Sequence, residues 1–205
     1  MKNLNEVRFV ATNYFNLQGL RMVPYSLMLV LVSLWANGAK YPVSVKNYLV
    51  LGLMLLACSI LLYGINRYYR RIFGQVKRTP ESLRLEWLVG IVGGVLALGA
   101  FWLDVSVKLP LSLIGLVFAA GLLEDYIRIT WLVKGRFLLY YPIGALLIAA
   151  VSVLPLLGLP DWWHAVGLRS QLFGIAIMIG VVSILAGIWG HVFLVRTLPP
   201  LTETK

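Results

Sequence analysis

Long apolar runs that lack charged residues over most of their length constrain the fold of this chain more than any other feature. A helix needs about 20 mostly apolar residues to cross a bilayer. Six stretches approach or exceed that length: 22–36 with its approach at 20–21, 48–66, 87–103, 109–129, 137–157 and 171–195. Backbone amides in lipid must be satisfied internally, which requires helices. The sequence therefore predicts an all-α, polytopic membrane protein: a bundle of six transmembrane helices arranged as three hairpins.

Composition supports a lipid environment for most of the chain. Hydrophobic residues make up 60% of the 205 residues and charged residues 13%, against averages of about 45–50% and about 25% in soluble domains. A soluble protein of this size has too little interior to bury so much apolar surface. The first twenty residues lack the continuous apolar core of a secretory signal peptide, so the first apolar segment is expected to remain as a span.

The distribution of lysine and arginine predicts the orientation of the spans. Fourteen of the eighteen cations lie before the first span, between the second and third, between the fourth and fifth, or after the sixth. The other four are Lys40, Lys46, Lys108 and Arg169. Because cytoplasmic loops are enriched in these residues, we expect a multi-pass protein of the cell membrane with both termini in the cytoplasm. Topology thus explains most of the net charge of +10.

The chain divides into three segments by its pattern of polarity. Residues 1–20 carry apolar side chains at three-to-four spacing, among them Leu4, Val7, Tyr14 and Leu17. This spacing predicts an amphipathic helix lying on the cytoplasmic leaflet. Residues 21–196 form the six-helix transmembrane domain, and residues 197–205 form a cytoplasmic tail. The link 158–170 contains Trp162 and Trp163, which predict a short interfacial helix or re-entrant turn at headgroup level.

A basic segment follows the second span and has two interpretations. It contains Arg67, Arg70, Arg71, Lys77 and Arg78, with Arg84 just beyond. Such a segment is typical of a stop-transfer flank beside anionic lipid. Alternatively, Arg70, Arg71, Lys77, Arg78 and Arg84 form a docking surface for a cytoplasmic protein. Nucleic-acid binding is not expected, because the segment also carries Glu81 and Glu86 and lacks a recognisable binding fold.

Polar and ionisable residues near the predicted cytoplasmic membrane edge form a candidate site. Its members are Asn66, Arg67, Glu124, Asp125, Arg128 and His191. Glu124 lies 15 residues after Leu109, about 22 Å along a helix, where a carboxylate is costly unless paired. Either the carboxylates pair with Arg128 on their own helix, or the six residues share a site that accepts a proton or a cationic group, with His191 as a titrating member.

No catalytic motif, cofactor motif or metal motif is present. The chain lacks HExxH, GxSxG, P-loop and dinucleotide-binding patterns. It has one cysteine and two histidines, and the predicted topology places His164 and His191 on opposite sides of the bilayer. We therefore expect no catalytic residues, no metal and no cofactor. An intramembrane enzyme that uses Glu124, Asp125 and His191 is a further alternative.

In layout, the chain resembles the membrane half of some ABC exporters. The matching stretches are 4–20 as an elbow helix, 71–86 as a coupling segment, and 160–168 as an external interfacial element. Within the coupling segment, Thr79 as N-cap, Pro80 at the first position and Glu81 in the first turn predict a short cytoplasmic helix over 79–87. The departures are short loops and the absence of a diagnostic motif, so this is analogy of architecture.

The resemblance implies a membrane-embedded, transport- or permease-like subunit that works with a cytoplasmic partner such as an ATPase. The alternatives are a self-contained small-molecule transporter, with Pro142 and Pro155 as sites of a helix break, and an assembly or sensor protein that does not transport. Small residues such as Gly90 and Gly94 lie on one helix face and are compatible with internal packing or with a homodimer.

Overall fold

Every regular element in the described part of the chain is helical. The computed structural model describes residues 14–38, 45–73, 80–107, 109–128, 130, 138–159 and 161–197. The α-helices within these ranges are α1 (Tyr14–Leu17), α2 (Met22–Gly38), α3 (Val45–Phe73), α4 (Pro80–Ser106), α5 (Leu113–Ile127), α6 (Tyr140–Val153), α7 (Trp162–Ala165) and α8 (Gln171–Thr197). The 3₁₀ turn Gly19–Arg21 directly precedes α2, and the 3₁₀ turn Leu154–Leu157 directly follows α6. The predicted all-α class is confirmed.

Five helical segments in these described ranges are long and apolar enough to cross a membrane. They are Gly19–Gly38, Val45–Phe73, Trp87–Ser106, Tyr140–Leu157 and Gln171–Thr197, and they correspond to the first, second, third, fifth and sixth predicted spans. Only 6% of the most apolar window of Val45–Phe73 is buried by the chain. A long apolar helix with so little of its surface covered indicates contact with lipid.

The predicted fourth span forms a shorter helix than expected. Helix α5 has 15 residues, or about 22 Å, and it begins at Leu113 rather than at Leu109. Residues 109–112 form a turn instead, and Ser112 caps the helix by accepting a hydrogen bond from the Gly115 N–H. The helix cannot begin before Leu113, because the N-cap residue Ser112 itself keeps an extended backbone.

The chain forms two compact units. The first consists of Met1–Gln75 and Gly180–Lys205, and the second of Val76–Ile179. Helix α8 contributes its second part to the first unit and its beginning to the second.

In the first unit, glycines on α8 allow its backbone to approach the segment around α2. A Cβ atom on Gly187 would lie 2.6 Å from the Gly19 carbonyl oxygen, and a Cβ on Gly180 would lie 2.5 Å from a methyl group of Val30. Both distances are shorter than van der Waals contact, so only glycine fits these positions. Small residues of this kind permit close helix contact in membranes.

In the second unit, α5 packs against both α4 and α6. Asp104 near the end of α4 accepts hydrogen bonds from the backbone N–H groups of Leu113 and Ile114 at 2.8 and 3.1 Å. The Ser112 N–H donates to the Ser152 carbonyl on α6 at 3.0 Å. The start of α5 is thereby held by both neighbouring helices, and its otherwise unpaired N–H groups are satisfied.

The short cytoplasmic helix predicted before the third span is the first part of α4 and not an element of its own. Helix α4 is one continuous helix of 27 residues, Pro80–Ser106. Pro80 occupies the first position, as predicted, but nothing between Glu86 and Trp87 interrupts the helix. A length of 27 residues corresponds to about 40 Å, which exceeds the roughly 30 Å hydrocarbon core.

The region around α6 and α7 shows where proline changes the helix geometry. Pro142 lies in the first turn of α6, where proline is tolerated, and the helix continues without a break to Val153. Pro155 lies in the 3₁₀ turn Leu154–Leu157, so the change occurs at the helix end. The predicted short helix after it is present as α7, and its Trp162 ring covers Gly174 of α8.

Both ends of the chain lie largely outside the described residues, which include neither 1–13 nor 198–205. The described part of the predicted amphipathic helix is α1, followed by the turn Gly19–Arg21. Tyr14 and Leu17, which were expected to face lipid, are only 2% and 1% exposed, because the chain itself covers them. An interfacial helix over 1–20 stays a prediction.

The close approach at Gly187 can be tested by a substitution with a matched control. We expect Gly187→Ala to destabilise the protein by about 1–3 kcal/mol, because the added methyl group overpacks the contact with Gly19. The control is Gly90→Ala, since a Cβ there meets no described atom within 4 Å. Thermal unfolding in detergent at a fixed scan rate measures both. Equal unfolding temperatures for the two variants would show that the contact is not tight.

Candidate functional site: a buried tyrosine–histidine cluster and a cationic stripe

A hydrogen-bonded cluster surrounds Tyr69 in the first unit. The Tyr69 side chain is 0% exposed. Its hydroxyl accepts from the Leu20 backbone N–H at 3.3 Å and lies 3.0 Å from Nδ1 of His191. A hydroxyl has one proton and two acceptor lone pairs, so Tyr69 can hold the Leu20 N–H and either tautomer of His191 at the same time. Tyr69 on α3 thus joins the turn before α2 to α8.

Aromatic rings and a cation complete the cluster. The rings of Tyr68 and Tyr69 lie 5.9 and 5.7 Å from the His191 ring. The Arg21 guanidinium lies 5.8 Å from the centre of the Tyr69 ring, within the range of a cation–π interaction. These contacts fix the orientation of His191 and place a positive charge beside the tyrosine.

The buried segment before α2 adds two more polar side chains. Gln18 is 3% exposed and forms a hydrogen bond with the hydroxyl of Tyr14. Burial raises the pKa of the Tyr14 hydroxyl above its ordinary value of 10.0, and the Gln18 hydrogen bond and the Arg21 charge offset part of that rise. Tyr14 is therefore neutral at physiological pH and acts as a hydrogen-bonding group.

A second polar feature lies on a different face of α3. Tyr63, Asn66, Arg67, Arg70 and Arg71 line an open groove of about 600 Å³. We call these five residues the cationic stripe. They recur at spacings of three, four, seven and eight residues, which places them on one helix face. Among the described carboxylates, none lies within 4.0 Å of the three arginines.

The predicted carboxylates lie in the second unit, where they pair locally. Nη2 of Arg128 donates to Asp125, and Nε of Arg128 lies 3.6 Å from Glu124. The structure shows the same-helix pairing that the spacing predicted. The carboxylate side chains are 48% and 38% exposed, so such a pair contributes at most about 1 kcal/mol in water.

The structure thus distributes the six predicted site residues among three local arrangements. Asn66 and Arg67 belong to the cationic stripe, His191 to the tyrosine cluster, and Glu124, Asp125 and Arg128 to the ion pair. A single site containing all six stays a prediction. Of the docking candidates, Arg70, Arg71 and Arg84 are exposed, whereas Lys77 and Arg78 lie outside the described residues.

Sequence reasoning missed Tyr69 as the centre of the buried cluster. It did not single out Tyr69 among the polar residues at the end of α3. The missed signal is a second periodicity, in which Leu62, Ile65, Tyr69 and Phe73 recur on one helical face. The tyrosine on that apolar face is the one that is buried. Its partners Leu20 and His191 are 49 and 122 residues away in sequence, and no local sequence pattern predicts these contacts.

Comparison of the chain with protein-family models, with curated proteins and with solved structures finds no match. In the described part of the chain, no group of three or more histidine, cysteine, aspartate or glutamate side chains is placed to hold a metal ion. The features that point to a function are the cationic stripe, the tyrosine cluster and the arrangement of the helices.

The hydroxyl of Tyr69 can be removed without removing its ring. We expect Tyr69→Phe to lower the free energy of unfolding by about 1–3 kcal/mol, because the partly buried Leu20 N–H and His191 Nδ1 each lose a partner. Tyr68→Phe is the matched control, since Tyr68 is adjacent and 37% exposed. Unfolding in detergent by chemical denaturant measures the difference. If both variants unfold alike, the hydroxyl does not join the helices.

Proposed function

We propose that this chain is a multi-pass protein of the cell membrane with six crossing helices, an amphipathic N-terminal helix and both termini in the cytoplasm. In this arrangement α5 is the fourth crossing. Its 15 residues are fewer than the roughly 20 that span a full core. Local thinning of the bilayer accommodates such a helix at modest cost, and its contacts with α4 and α6 hold it beside two longer helices.

The charge distribution supports a crossing by α5. With six crossings, fourteen of the eighteen cations lie on the cytoplasmic side. If α5 did not cross, the side holding the N-terminus would carry ten and the opposite side eight, because Lys108, Arg128, Lys134 and Arg136 would share one loop and the C-terminal cations would change sides. The first distribution has the asymmetry typical of membrane proteins, and the second does not.

Within that topology, we propose a membrane-embedded, transport- or permease-like subunit that works with a cytoplasmic partner such as an ATPase. The observation that carries this proposal is the continuity of α4. Its apolar window begins at Trp87, but the helix begins at Pro80. The seven residues between extend about 10 Å beyond the window. A partner bound there would move the transmembrane part of α4 directly, because no hinge separates the two.

The docking surface in this proposal consists of Arg70, Arg71, Lys77, Arg78 and Arg84, which lie within fifteen consecutive residues of the chain. Arg84 is exposed on the extension of α4. A partner with an acidic surface complements these charges. Such complementarity increases the association rate and makes binding sensitive to salt.

The alternatives are a self-contained transporter and an assembly or sensor protein. A self-contained transporter is expected to use discontinuous helices at the midplane. Helix α6, the sequence's best candidate for a break, instead continues from Tyr140 to Val153. An assembly protein would require contact alone, and it would bind its partner without any transport activity by the complex.

Partner docking is tested by copurification in mild detergent. We expect a cytoplasmic protein to copurify at constant stoichiometry, and its retention to fall about tenfold or more, equivalent to 1.4 kcal/mol, in the combined variant Lys77→Gln, Arg78→Gln, Arg84→Gln. The control variant, Lys40→Gln, Lys46→Gln, Arg169→Gln, removes the same charge from the predicted external side and should retain the partner.

Two results would contradict the proposal. One is the absence of any stoichiometric partner together with substrate uptake by the purified chain in vesicles, which would favour the self-contained transporter. The other is equal retention of the partner by both variants. A partner without transport activity in the reconstituted complex would favour the assembly or sensor protein.

A further inference from the structure

We infer that the cationic stripe on α3 is a binding groove for the phosphate-bearing headgroup of an anionic lipid. This inference goes beyond the proposed docking function, because it assigns a ligand to a groove within the membrane protein itself. The chemistry recognised is a phosphate group, which a lipid headgroup and a free phosphate share. The position of the groove on α3 favours the lipid.

The residues of the stripe suit a phosphate ligand. Arg67, Arg70 and Arg71 present three guanidinium groups along two turns of one helix face. The planar guanidinium donates parallel hydrogen bonds to phosphate oxygens, which a lysine ammonium cannot do. Asn66 adds an amide donor and acceptor to the same lining. The groove volume of about 600 Å³ lies within the range of small-molecule sites.

The charges of the stripe are not neutralised by the described part of the protein. Arg67, Arg70 and Arg71 are exposed, and no described carboxylate lies within 4.0 Å of them. Like charges at neighbouring helical positions repel one another. A bound anion relieves this repulsion, and it is favoured most strongly at the membrane edge, where water competes less for the hydrogen bonds.

The face that carries the stripe continues toward the membrane interior as an apolar surface. Leu56 and Ile60 precede Tyr63 at spacings of seven and three residues, and all three are more than half exposed, at 57%, 62% and 69%. Tyrosine is typical of the headgroup level. The same face therefore offers a surface for acyl chains, then an interfacial aromatic ring, then the arginines. An anionic lipid can contact all three parts of this face, whereas a free phosphate would contact only the arginines.

The inferred ligand refines the docking surface. A headgroup on the stripe engages Arg70 and Arg71, which leaves Lys77, Arg78 and Arg84 for a cytoplasmic partner. The two proposals then depend on different residues and fail separately: loss of the stripe removes lipid binding, and loss of the other three cations removes the partner.

Lipid binding is tested on the purified full chain by native mass spectrometry, with phosphatidylglycerol and phosphatidylcholine as probes. We expect phosphatidylglycerol to bind in preference to phosphatidylcholine. In the variant Arg67→Gln, Arg70→Gln, Arg71→Gln, its affinity should fall about tenfold or more, the change equivalent to 1.4 kcal/mol. A matched variant, Lys40→Gln, Lys46→Gln, Lys205→Gln, removes the same net charge elsewhere and should keep the affinity of the unmodified chain.

A competition experiment distinguishes a lipid from free phosphate, and single variants keep the test valid if the triple variant does not fold. Inorganic phosphate should not displace phosphatidylglycerol at equal concentration, and displacement by it would overturn the assignment to a lipid. Equal loss of binding in both variants, or no loss in either, would overturn the site. Single variants Arg67→Gln and Arg71→Gln, which keep two cations, should bind with intermediate affinity if the triple variant fails to fold; unchanged affinity in both would also overturn the site.

Discussion

The fold depends on one constraint: a backbone N–H or C=O group without a partner is costly in an apolar environment. Long helices satisfy this requirement along their length but not at their ends. At two ends the chain supplies side chains for the purpose. Asp104 accepts from the first N–H groups of α5, and the Tyr69 hydroxyl accepts from Leu20 just before α2. In each case a polar side chain on one helix fixes where another begins.

Helix α3 combines this structural role with the strongest candidate site. One face buries Tyr69 against Leu20 and His191, which holds the first unit together. Another face presents the cationic stripe to its surroundings. A helix anchored by its inner face fixes the backbone positions from which its outer arginines, which donate to phosphate oxygens in a planar fork, reach an anion. The cluster around Tyr69 thus holds in place the helix that carries the groove we assign to a headgroup.

The sequence predicted the features that depend on local composition. Apolar runs of span length placed five helices correctly, because lipid solvation acts on every residue of a run. It placed the start of α5 four residues early, because that start depends on Asp104 and Ser112 across a turn. It divided α4 in two, although no breaker lies between Glu86 and Trp87. It did not find Tyr69, whose two partners are remote in sequence.

The proposed topology depends on a crossing of the membrane by α5, because with the other five crossings it would bring both termini to the same side. It is tested most directly by placing single cysteines on either side of α5, at Val107→Cys and Gly135→Cys, after replacing the native cysteine by Cys58→Ser. A membrane-impermeant maleimide then labels sealed vesicles of each orientation. We expect Val107→Cys to react only from the external side and Gly135→Cys only from the cytoplasmic side. Labelling of both cysteines from the same side would contradict it.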